Sequence, residues 1–303
     1  MNIKLDIKRS LDSERPLAVL LITPALLVIV TVIFYPLFST IYLAFTNKNL
    51  LRPYAGTSFV GLRNFSWLFT ESEVFWRAVF NSVLLTASTV ILLLIIGIPV
   101  ALALNSGFRG QKLVRGVTIL PWAVPTVVAA IMWTWALNPQ FGWFNKFLIG
   151  IRVVEQGIPW LGDPKYAMIG VILAHIWKQL PFVVLVLLAG LQSIPHELRE
   201  AARVDGAGPW AEFWSITLPG LSYVIWIIVM LRTIWTFNWF EFVYLLTGGG
   251  PADSTFTLPI FVYKSAFRTY RVGEAAAIAT FMLAILVVCI MVFTKIQART
   301  ANS

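Results

Sequence analysis

The sequence predicts an all-α integral membrane protein with six transmembrane helices. Apolar residues make up 58% of its 303 positions and charged residues 12%, with a mean hydropathy of +0.80, far from the balance of a soluble domain. Six apolar stretches recur along the chain, each long enough for the roughly 20 residues that a bilayer core requires. None alternates apolar and polar residues as the wall of a membrane barrel does.

The first stretch, Leu17 to Phe45, follows a basic start. It is far longer than a signal-peptide core, and no small-residue cleavage pattern follows before Asn47, so it is expected to stay as a first span. The others run Ala78 to Leu104, Val117 to Leu137, Ala167 to Leu191, Leu221 to Leu246 and Val272 to Ile296. Pro181 removes a backbone hydrogen bond from the fourth and is expected to kink it. The connections 47–77, 138–166 and 247–271 carry Trp67, Trp76, Trp143 and Trp160 as a headgroup belt, and Gly248 to Pro251 form a turn. Residues 17–296 then make one transmembrane unit between tails 1–16 and 297–303, with no internal repeat. Lys and Arg divide almost evenly between the two sides of this topology. The basic N-terminal tail and the short loop Ser106 to Gly116 favour cytoplasmic N- and C-termini.

Several chemistries are excluded. The net charge of +9 is dispersed along membrane edges, so nucleic acid is not an expected partner, while membrane lipid is. Cys289 is the single cysteine, which rules out an intramolecular disulfide, and His175 and His196 do not make a metal site with it. No GxxxxGK[ST] phosphate loop is present, so no cofactor is expected in this chain and nucleotide hydrolysis falls to a partner.

Between the fourth and fifth stretches lies the polar run EAARVDGAGPWAEFWSITLP, residues 200–219. Ser193 is expected to cap a short helix, with Pro195 in its opening turn and Glu197 and Glu200 near its positive end. Gly206 and Gly208 break that helix, and Pro209 starts a second with Trp210, Phe213 and Trp214 on one face. Ala201, Ala202 and Ala207 keep the tip small enough to enter a groove.

The run Glu200, Ala201, Ala202, Asp205, Gly206, Ile216, Leu218 and Pro219 resembles the EAA loop of permease subunits in binding-protein-dependent ABC importers. FVGLRNF at 59–65, ILPWAVPTVVAAIMWTW at 119–135, WLGDP at 160–164, IWKQLPF at 176–182 and LLTGGGP at 245–251 follow in order and are similar to the carbohydrate-uptake branch, in its compact MalF-like form. The large periplasmic insertion of enterobacterial MalF is missing, so its contacts do not carry over. The resemblance implies a type I ABC permease fold in a bacterial inner membrane. It implies a coupling loop at 193–220 that docks through Glu200, Ala201, Ala202, Asp205, Gly206, Leu218 and Pro219 on an ATPase. Two ATPase copies holding ATP and Mg, a second homologous MalG-like permease and an extracytoplasmic solute-binding protein complete the implied assembly.

A transport path should show as polar groups inside spans, because charge at mid-bilayer is costly. His175, Lys178, Arg232 and Glu241 qualify, with Arg232 close enough to one boundary to snorkel. Asn238 and Glu241 are three apart and share a face with Trp235 or Tyr244, offering hydrogen-bonding groups beside aromatic surface. The resemblance adds Gln179, Phe182 and Phe237. The expected cargo is a sugar, as an oligosaccharide or glycoside. Lys178 and Arg232 keep a glycerol phosphodiester or another phosphate ester open, and a self-sufficient ion-coupled carrier is the alternative from a different class.

Overall fold

The computed structural model describes residues 18–301, apart from 53 and 55. The expected tail 1–16 and the start of the first span at Leu17 lie outside them. Five long apolar helices are long enough to cross a membrane: Ala18–Ala44, Phe75–Asn105, Pro164–Ser193, Pro209–Phe237 and Val272–Gln297. Gln111–Ala123 and Thr126–Ala136, two helices bent by 97° at a short break, are apolar and long enough for a sixth crossing when taken together as one span. Among the described residues the only β pairing is a single bridge between Thr46 and Phe59.

The broken third span corrects the expectation of one helix from Val117 to Leu137. Pro125 lacks an N–H and pushes the residue before it out of the helical region, and Val124 accordingly has an extended ψ of 129°. The fifth stretch is also corrected. Its helix stops at Phe237, Asn238 turns out of it with φ −92° and ψ 1°, and Glu241–Thr247 forms a separate short helix. The last helix runs on to Ala301, through most of the expected tail 297–303.

Other local expectations fare differently. The first span passes through a π turn, Ile29–Phe34, just before Pro36, which has no N–H to bond back to Val32. The fourth span begins at an Asp163 cap whose carboxylate accepts from the Lys165 N–H at 2.8 Å, and it continues through Pro181 without a break.

The core sits where the second, fourth and fifth spans meet. A Cβ on Gly97 would lie 3.0 Å from Val183 Cγ1, and one on Gly190 would lie 2.9 Å from both Leu221 Cδ2 and Val224 Cγ2. Glycine is thus what lets these helices approach closely in a membrane, where packing replaces the hydrophobic drive. Two buried asparagines stitch the connections. Asn145 donates to the carbonyls of Leu137, Asn138 and Ile158 and accepts from the Ile158 N–H and Trp160 Nε1. Asn81 donates to the carbonyls of Asp253 and Phe256. Trp160, expected in the headgroup belt, is therefore a buried structural residue, whereas Trp76 and Trp143 are exposed.

Candidate functional site

The polar run folds into a hairpin. Its first arm is His196–Val204, with Pro195 as the capping residue. Ser193 does not cap it: its hydroxyl donates back to the Gly190 carbonyl at 2.8 Å, which makes it the end of the fourth span. The arm closes with a Schellman pattern, Ala207 N–H to the Ala202 carbonyl at 2.9 Å and Gly206 N–H to the Arg203 carbonyl at 3.1 Å. That closure requires the left-handed φ of +84° at Gly206, which glycine adopts without strain.

The second arm starts at Pro209 and continues into the fifth span through a π turn, Phe213–Thr217. The tip is therefore joined to the fifth span by continuous helix. Trp210, Phe213 and Trp214 cluster as expected, with ring centroids 5.3 to 6.0 Å apart. Glu212 ties the arms together, reaching Arg203 Nε at 3.1 Å and Arg199 Nε at 3.8 Å. At the tip, Glu200, Ala201, Asp205 and Gly206 are exposed and Ala202 is half-buried. Val204 is 87% and Trp210 74% exposed, so the tip carries uncovered apolar surface. Leu218 and Pro219 lie at the base, half-buried and exposed respectively.

Within the membrane the structure joins some expected residues and separates others. Arg232 Nη1 donates to Gln179 Oε1 at 2.8 Å, and Arg232 is 1% exposed. It is turned inward, toward the fourth span. Its guanidinium lies 5.7 Å from the Trp235 ring, and Phe182 stands between Trp235 at 5.2 Å and Trp122 at 6.4 Å. Trp122 and Trp235 are exposed, so an aromatic surface backed by a buried polar pair opens on one face.

Lys178 is turned elsewhere, donating to the Val124 carbonyl at 2.6 Å. His175 is fully buried with its ring 4.3 Å from Trp239. Phe237 lies in the apolar core. Asn238 donates to the carbonyl of Ile234 in its own helix at 2.9 Å and lines a separate cavity of about 480 Å³ with Phe240 and Tyr263. It shares no helical face with Glu241, which is exposed in the first turn of the next helix. Tyr244 packs on Phe240 and Tyr263 and accepts from Arg268 Nη2 at 3.2 Å. Trp122, in the motif but not singled out by the sequence, is the residue missed; its position between two prolines is the signal that was available.

Among the described residues no cluster of acidic, histidine or cysteine side chains could hold a metal ion. Residues 93–302 match the family described as binding-protein-dependent transport system inner membrane components. A probable ABC transporter permease of Brucella suis is 37% identical over 96% of this chain and 99% of its own. The trehalose/maltose transport permease MalF of Thermococcus litoralis is 37% identical over 89% of this chain and 90% of its own. A crystal structure of a bacterial alginate ABC transporter, complexed with its alginate pentasaccharide-bound periplasmic protein, superimposes with a TM-score of 0.79 at 25% identity, covering 99% and 98% of the two chains. The helical fold as a whole is that of an ABC importer permease. The chain belongs to the binding-protein-dependent transport system inner membrane components, as a transport subunit and not an enzyme.

Proposed function

We propose that this chain is the MalF-type permease subunit of an ATP-driven sugar importer. The observation that carries the sugar is the surface of Trp122, Phe182 and Trp235 over the Gln179–Arg232 pair. The C–H face of a pyranose stacks on aromatic rings, and its hydroxyls need directional partners at the edge. The trehalose/maltose relative and the alginate importer support the same cargo class. The phosphate-ester alternative rests on Arg232 alone, because Lys178 is buried and donates to the Val124 carbonyl.

In this reading the hairpin tip faces the cytoplasm with both termini and docks on one of two ATPase copies that hold ATP and Mg. A second permease covers the aromatic face, and a solute-binding protein delivers sugar from outside. ATP binding draws the paired hairpins together and opens the cavity outward; hydrolysis resets it. Purification of the tagged chain from its host in mild detergent should bring an ATPase and a second permease, identified by mass spectrometry. Recovery of the chain alone, from an extraction that keeps other importers whole, would favour the self-sufficient carrier.

A further inference from the structure

The break in the third span creates a backbone defect inside the membrane. The last carbonyls of Gln111–Ala123 have no helical N–H ahead of them, since Pro125 has none and Thr126 opens a helix turned by 97°. Such carbonyls need a partner in hydrocarbon, where water is absent. Lys178 supplies it: its Nζ donates to the Val124 carbonyl at 2.6 Å from a side chain that is 5% exposed. The contact also puts an ammonium at the negative end of the half-helix, the favourable arrangement for its dipole. One turn further along the fourth span, Phe182 packs on Trp122 of the same half-helix. On the other side of the break, Trp133 of Thr126–Ala136 packs edge-on against Trp177, the residue before Lys178, with ring centroids 5.9 Å apart. The stretch of the fourth span around Lys178 thus contacts both halves of the broken span.

We infer that Lys178 is a positioning residue for transport, whose ammonium sets the angle between the two halves of the third span. This rests on the importer reading, but its test needs no sugar. Spin labels at Val117→Cys and Ile131→Cys, both exposed and one on each half, are placed in a Cys289→Ser background. The distance distribution is measured by pulsed electron resonance in the intact purified importer.

With Lys178 the distribution should show one dominant distance. Lys178→Met should lower that population by about tenfold, as expected when a hydrogen bond to a charged group is lost, and Lys178→Arg should restore most of it. Should the Met variant fail to assemble, Lys178→Gln, which keeps a donor without the charge, should shift the distribution partway. Distributions that superimpose for Lys178 and for either neutral variant would overturn the inference. An unchanged angle effect without sugar uptake would instead reject only the sugar reading.

Discussion

Arg232 shows what a single residue costs and contributes here. Its Nη1 meets Gln179, while its Nε and Nη2 are buried without a partner among the described residues. Gln179→Leu would remove its remaining hydrogen bond and leave an uncompensated charge, at a cost of about 3 kcal/mol. A lower thermal midpoint of the purified complex and reduced yield are expected; an unchanged midpoint would mean that Arg232 finds another partner. Trp235→Ala and Trp122→Ala remove stacking surface worth about 1 kcal/mol each, so KM for sugar should rise roughly fivefold with the maximal uptake rate nearly kept. Transport kinetics in vesicles would check this, and a fall in rate at constant KM would count against stacking. The sequence exposes these polar residues, because each interrupts an apolar run. It does not tell where they point: Lys178 and Gln179 are neighbours, yet one reaches the Val124 carbonyl and the other Arg232. A backbone carbonyl as partner leaves no mark in the residue order.

At the scale of elements, the hairpin is the part most open to reading, since Gly206, Gly208 and Pro209 act through local backbone rules that do not depend on the rest of the fold. Gly206→Val places a β-branched residue at φ +84°, a strain of about 1–2 kcal/mol. ATP-driven uptake should fall while the amount of chain in the membrane fraction stays the same, measured side by side. Glu212→Gln loosens both arginine contacts. Arg203 is two-thirds exposed, so the loss is about 1 kcal/mol or less, and the ratio of ATP hydrolysed to sugar moved should rise. The two breaks in the spans were not legible in the same way. Hydropathy registers composition and not direction, so Val117 to Leu137 and Leu221 to Leu246 read as continuous apolar runs. Pro125 and Asn238, which turn the chain, are single residues inside them.

The whole molecule is a set of helices whose close approach depends on glycine and whose outer faces await partners. Gly190→Leu would drive a side chain into Leu221 and Val224 and force the fourth and fifth spans apart, with an expected loss of about 1–3 kcal/mol. Less assembled complex should be recovered by size-exclusion chromatography. The first part of the first span is exposed, and so are the hairpin tip and the face of Trp122 and Trp235, which fits a chain completed by lipid, an ATPase and a second permease. The central claim is that this chain moves sugar at the expense of ATP through that assembly. The direct measurement is uptake of radiolabelled maltose and trehalose by proteoliposomes holding the purified complex and its binding protein, with and without enclosed ATP. The account predicts ATP-dependent accumulation of at least one sugar, abolished by Gly206→Val. ATP-independent uptake by this chain alone, or ATP-driven uptake of a phosphate ester with neither sugar moved, would contradict it.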